Sequence, residues 1–152
     1  MTLFFVIRLR GNIGVHPDVL DTLKRLNMPT KYSAVLIQDT PSNKGMLNKV
    51  TDYVTWGEIA EASLEALIMK RGRMAGDERI TEDTIKRESL GSSKELAKRT
   101  MGEGAVPACI KKTFRLTPPS GGFKKSIKRH VRSGGELGYR GEVINELLKK
   151  MI

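Results

Sequence analysis

From residue 3 to residue 57 the apolar residues switch repeatedly between strand-like and helix-like spacing, and this alternation restricts the fold more than any other feature. Residues 3–9, Leu-Phe-Phe-Val-Ile-Arg-Leu, are rich in aromatic and β-branched side chains and predict a strand. Gly11 to Gly14 ends it. Pro17 then suits a first helical position, where a missing N–H costs nothing, and His16 before it marks the helix start. Val19, Leu20, Leu23 and Leu26 follow at helical spacing until Asn27 and Pro29 stop the pattern. Residues 32–37 read as a second strand. Residues 39–43 read as a turn into a helix that carries Met46, Leu47 and Val50 on one face. Residues 52–56 read as a third strand. The order β-α-β-α-β predicts a sheet with these two helices on one face.

The texture changes from Glu58. Ala60, Leu64, Leu67 and Ile68 predict an amphipathic helix ending near Gly72. Thr81 with Glu82 and Asp83 opens a short helix, and Ser92 with Glu95 offers a capping box for another. Residues 112–116 predict an edge strand, stopped by Pro118 and Pro119. The chain closes with a helix from about residue 142 that buries Val143, Ile144, Leu147, Leu148 and Met151. The expected organisation is an αβ core over residues 1–57 and an extension over 58–152. The extension divides into a helical module (58–107), a basic strand-loop segment (108–140) and a C-terminal helix (141–152).

Charge separates these parts. The chain carries a formal net charge of +10, and the excess lies at the C-terminal end. Between residues 111 and 140 stand Lys111, Lys112, Arg115, Lys124, Lys125, Lys128, Arg129, Arg132 and Arg140 against the single acid Glu136. Gly121, Gly122, Gly134, Gly135 and Gly138 break the same stretch, so a flexible cationic surface is expected there. Unpaired like charges repel, and a polyanion relieves that repulsion. The spacing of Lys124, Lys125, Lys128, Arg129, His130 and Arg132 lets cations follow a phosphate path, and Gly121–Gly122 permits close backbone approach. A second candidate cluster joins Arg8 and Arg10, at the end of the first strand, to Lys44 and Gly45, where a helix opening at Asn43 would offer free amides to a phosphate.

Other chemistries find little support. Two histidines and one cysteine without paired spacing do not make a zinc site. Gly11 and Gly14 lack the third glycine of a dinucleotide loop, and Gly-Lys-Ser/Thr does not occur. Asp39 and Asp52 read as turn caps rather than an acid–base pair. No catalytic residue, metal ligand, cofactor or small-molecule substrate is expected. The N-terminal apolar run is too short for a signal core and is followed by positive charge, and no stretch reaches the ~20 apolar residues of a membrane span. The expected setting is soluble, reducing and cytoplasmic, with Cys109 unable to pair internally. Eight aromatics, mostly in strand or core patterns, argue against base stacking on a sheet and for recognition of RNA backbone and shape.

The arrangement resembles the large-subunit ribosomal protein family thirty, the eukaryotic large-subunit protein seven family. The matching stretches are Arg8-Leu9-Arg10-Gly11, the helix from Pro17, Asp39-Thr40-Pro41 followed by Gly45-Met46-Leu47 and Lys49-Val50, and Tyr53-Val54-Thr55-Trp56-Gly57. Phe114-Arg115-Leu116-Thr117-Pro118-Pro119-Ser120-Gly121-Gly122 and Gly134-Gly135 with Leu137-Gly138 are similar to the longer archaeal form. Residues 72–107 match least. The resemblance implies an α+β fold with a three-stranded antiparallel core sheet. It implies a non-enzymatic constituent of the large subunit that binds the large rRNA, lies near the 5S rRNA and adjoins other ribosomal proteins. It adds Lys49 to the candidate contacts. The rival readings are a free RNA- or DNA-architectural protein and an RNA-modifying enzyme, and the latter lacks a constellation of base, nucleophile or metal ligands.

Overall fold

A computed structural model describes residues 2–152. In chain order the elements are β1 (Leu3–Arg8), α1 (Pro17–Arg25), β2 (Ser33–Gln38), α2 (Pro41–Lys49), β3 (Val54–Glu58), α3 (Glu61–Arg71), α4 (Glu82–Arg87), α5 (Ser93–Glu103), β4 (Thr113–Arg115), β5 (Ser126–His130), β6 (Gly135–Tyr139) and α6 (Ile144–Met151). Short 3-10 turns occupy Val131–Ser133 and Gly141–Val143.

Local chemistry sets most helix ends. His16 caps α1 by accepting the Asp18 amide on Nδ1 at 3.3 Å, with Pro17 in the first turn and Lys24 and Arg25 in the last. Thr81 caps α4. Ser92 and Glu95 form the reciprocal capping box of α5, and Gly104 closes that helix in the left-handed conformation at φ 69°.

The sheet has six strands in the order β4-β2-β1-β3-β6-β5. β1 lies at the centre of an antiparallel triplet, pairing Phe5 with Leu36 of β2 and with Gly57 of β3. This is the antiparallel core that the resemblance implies. The extension then adds to both sides. β4 pairs antiparallel with β2, and β6 runs parallel to β3. Strand pairing therefore crosses the expected boundary at residue 57.

Packing crosses it as well. β1 is buried at every position. One face, through Phe4 and Val6, packs on Leu23 and Leu26 of α1 and its end, and on Leu47 and Val50 of α2 and its end. The opposite face, through Leu3, Phe5 and Ile7, packs on Leu64, Leu67 and Ile68 of α3, Leu96 of α5, and Ile144 and Leu148 of α6. The two core helices lie on one face as their order predicts, and the extension covers the other.

Several expectations are corrected. β3 starts two residues late because residues 50–53 form a turn, with the Tyr53 amide donating to the Val50 carbonyl at 2.9 Å. The helix expected to open at Asn43 begins at Pro41, because Thr40 is the cap and accepts the Asn43 amide at 3.2 Å. Val143 is 55% exposed and lies in the 3-10 turn before α6, off the buried stripe of that helix. The Gly-rich basic segment is not a flexible loop. It forms β5, a 3-10 turn and β6. Gly135 makes this possible, since a β-carbon there would lie 1.9 Å from the Arg129 carbonyl oxygen. Gly138, at φ 86°, places its carbonyl against Thr55 Oγ1 at 2.9 Å.

Candidate nucleic-acid interface

The basic segment lands on the outer edge of the sheet. Lys124, Lys125, Lys128, Arg129 and Arg132 are all exposed, on or beside edge strand β5. None of the five has an ion-pair partner among the described residues. The one acid of the segment is turned inward. Glu136 is buried, accepts the Lys125 amide at 3.1 Å, and pairs with Arg140 at 2.6 Å. The cations of β5 thus face solvent without a counter-charge. Gly121 and Gly122 lead into this edge at φ 77° and 72°, with no atom near the position a β-carbon would take. A cleft of about 290 Å³ separates the edge from α6, lined by Phe123, Lys124, Lys125 and Lys150 among others.

Two of the candidate bases are structural. Arg8 is fully buried. Its guanidinium donates to the carbonyls of Met28 and Arg10, at 2.8 and 2.9 Å, and to Asn12 Oδ1. Burial lowers its pKa from the ordinary value. It ties the end of β1 to the loop before β2 and presents nothing to a partner. Arg140 is the second. Its side chain is 7% exposed, and it donates to Thr55 Oγ1 at 2.8 Å and to the Glu136 carboxylate. Arg140→Ala leaves Glu136 buried and unpaired, so it is expected to destabilise the protein by about 3–5 kcal/mol. A thermal melt checks this, and binding per folded molecule should stay near that of the parent.

The proposed corner of Arg8, Arg10, Lys44 and Gly45 does not form. Lys44 pairs with Asp39 at 2.6 Å and lies over the Phe4 ring, at the start of β1. Arg8 ends that strand, about 13 Å further along at ~3.3 Å per residue. The antiparallel register explains the separation, because α2 starts beside Leu3 and returns the chain to Val54 opposite Arg8. The Lys44 amide is also not free, since it donates to the Thr40 carbonyl at 2.9 Å. Lys49, at the exposed C-terminal end of α2, lies toward the Arg10 end instead. There Arg10 donates to the Asp52 carbonyl at 3.2 Å and stacks over Tyr53, while His130 Nε2 meets Asp52 Oδ1 at 2.7 Å. Asp52 therefore joins Arg10 to the end of β5, and Asp39 and Asp52 serve different partners.

Lys112 and Arg115 are exposed at the opposite edge, on and before β4, and Lys111 pairs there with Asp77 at 2.7 Å. Sequence reasoning missed two residues near this edge, Arg71 and Arg73, and the exposed ring of Tyr139 beside β3. Tyr139 donates its hydroxyl to Glu58 at 2.6 Å, and that bond is the chief cause of its raised pKa. The Arg-Gly-Arg run at the end of α3 was the available signal for the first two. Among the described residues no group of His, Cys, Asp and Glu could hold a metal ion.

Fold and site define a class: a small basic α+β protein with a cationic edge strand on a sheet covered on both faces. The description Ribosomal protein L30p/L7e matches residues 4–54. Large ribosomal subunit protein uL30 of Ignicoccus hospitalis is 45% identical over 99% of this chain and 98% of its own length. The protein of the same name from Nanoarchaeum equitans is 44% identical over 100% of both chains, and that of Aeropyrum pernix 46% over 100% of both. The chain belongs to the uL30 family, in its longer archaeal form. Membership makes it a structural, non-enzymatic constituent of the large ribosomal subunit, and hence cytoplasmic.

Proposed function

We propose that this protein binds and stabilises large-subunit rRNA, with β5 and its flanks as the principal contact. The observation that carries the reading is the row Lys124, Lys125, Lys128, Arg129 and Arg132, exposed and unpaired on a sheet edge while the only acid of the segment is buried. Such an edge suits phosphates along an RNA backbone rather than base edges. Lys112 and Arg115 supply a second basic edge. Proximity to the 5S rRNA and contact with neighbouring ribosomal proteins rest on the similarity of the extension to the longer family form. Crosslinking in assembled large subunits tests the reading. rRNA nucleotides should be joined mainly to residues 124–132, with some 5S nucleotides on the extension. Crosslinks confined to residues 58–107 would remove β5 from the interface. Retention on subunits through a high-salt wash separates this role from that of a free architectural protein.

Gly45 supports a smaller contact at α2. It lies inside the helix, is exposed, and has no atom within 4 Å of a built β-carbon. The fold gives it no packing role, and a helical glycine costs roughly 0.5–1 kcal/mol relative to alanine. Gly45→Ala is therefore expected to raise stability by about that amount and to lower RNA affinity. Lys44→Ala should weaken binding with the melting temperature nearly unchanged. If Gly45→Ala leaves affinity as it was, the α2 contact is withdrawn.

A further inference from the structure

A second concentration of positive charge lies away from β5. A recess of about 600 Å³ opens between the end of α3 and the β2–β4 edge, and Arg71, Arg73, Lys111 and Arg115 line it with Asp77 as the one acid. The four cations come from two stretches of chain, Arg71 with Arg73 and Lys111 with Arg115, and the fold brings them together. The Lys111 amide donates to the Arg73 carbonyl at 2.8 Å, and Met74 bridges Ile110. Arg115 stands opposite Ser33 in the β2–β4 register. Arg71 Nη2 donates to Thr117 Oγ1 at 3.2 Å. Arg71 and Arg73 are half-buried, so their charges are less screened than those of a free surface arginine.

Asp77 sits at the mouth of this recess on a tight turn. Its amide donates to the Met74 carbonyl at 2.9 Å, and its backbone is left-handed at φ 65°. Its carboxylate holds Lys111 at 2.7 Å. Lys111 first, and Arg73 and Arg115 more weakly, keep that carboxyl below the usual carboxylate range. One carboxylate against four cations leaves an excess of three positive charges in a concave site.

We propose that this recess is a second RNA phosphodiester site, in which Asp77 is the internal anion that occupies Lys111 until a backbone phosphate takes its place. The guanidinium groups of Arg71 and Arg73 suit the oxygens of a phosphate, which they can grip in pairs. The Lys111–Asp77 pair is exposed and exchangeable. The site gives the helical module, through the end of α3, a direct role at the RNA surface. It rests on the rRNA-binding reading above but uses different residues from β5.

The test uses the full chain and a transcribed large-subunit rRNA, with affinity measured over a salt series. Arg71→Gln with Arg73→Gln removes two phosphate contacts, so binding near 0.1 M salt should weaken about 10- to 100-fold and the log–log salt slope should fall by about 2. Asp77→Asn carries the opposite sign. Asparagine tolerates the left-handed backbone, so the turn survives while the competing charge goes. Affinity should then rise about fivefold, the size of one screened charge at contact distance. Unchanged affinity and slope in the arginine variant overturn the proposal, as does weaker binding by Asp77→Asn. Should the arginine variant misfold, the Asp77→Asn sign still decides. A variant that binds RNA normally but is lost from assembled subunits points to an acidic protein partner and also overturns it. Glutamines at Lys124, Lys125 and Lys128 give the comparison. If they have no effect while the recess variants do, the β5 reading fails and the recess stands.

Discussion

Raising the salt from ~50 to ~200 mM is expected to weaken binding to a large-subunit rRNA transcript by about a thousandfold. Each neutralised phosphate releases condensed counterions, and the log of the affinity falls with the log of the salt by ~0.7–0.9 per contact. The exposed bases available on the two edges are Lys112, Arg115, Lys124, Lys125, Lys128, Arg129 and Arg132. Engaging about six of them gives a slope near −5 for duplex-like RNA, and a fourfold rise in salt then yields the thousandfold loss. The inward position of Glu136 and Arg140 matters to this number. Were Glu136 exposed among the lysines it would offset part of the field, and were Arg140 exposed it would add to it. Glutamine at Lys124, Lys125 and Lys128 should lower the slope by about 3 without moving the melting temperature. Substitution is the proper form of this experiment. Deleting residues 124–132 would remove β5 and the Arg129 carbonyl against which Gly135 packs. A flat salt profile in the unaltered protein would count against the electrostatic reading altogether.

What could be read in the sequence was what neighbours in the chain decide. His16-Pro17, Thr81 and the Ser92–Glu95 pair each announce a helix start, because a cap is made within three residues. β1 was legible because every one of its positions is buried and apolar but the last. β5 was not legible. Ser-Ile-Lys-Arg-His lacks a buried face, since it is an edge strand held by parallel pairing to β6 and by a close approach of Gly135. Arg8 and Arg10 show the same limit at the level of a single side chain. Two residues apart and alike in sequence, they end differently because the Met28 carbonyl and Asn12 lie where Arg8 points, while Arg10 lies against Tyr53 and Asp52. The recess of Arg71, Arg73, Lys111 and Arg115 draws on residues up to 44 positions apart, so no local charge count would have assembled it.

A fragment ending at residue 57 is expected to lose cooperative folding. It would keep most of β1, β2 and β3 with α1 and α2, which is a complete packing arrangement for one face of the sheet only. The other face carries Leu3, Phe5, Ile7 and Leu9, all at 1% exposure or less in the whole protein and covered by α3, α5 and α6. Returning one such side chain to water costs about 1.5–3 kcal/mol, so these four together cost about 6–12 kcal/mol. That is comparable to the whole stability of a typical domain, about 5–15 kcal/mol. The fragment also loses β4 from the edge of β2 and β6 from the edge of β3, leaving two unpaired strand edges beside an apolar face. Aggregation, or a soluble but dye-binding state without a sharp melt, is the expected result by calorimetry and near-ultraviolet dichroism. A chain built to stop near residue 57 would need polar residues at these positions, or another cover for them. Here every second residue of β1 is committed to the extension. A cooperative melt in the fragment would show that α1 and α2 suffice, and that the extension is an addition to an autonomous core. The same measurement on Phe5→Ala in the full chain gives the scale, since emptying that one site should cost about 3–5 kcal/mol.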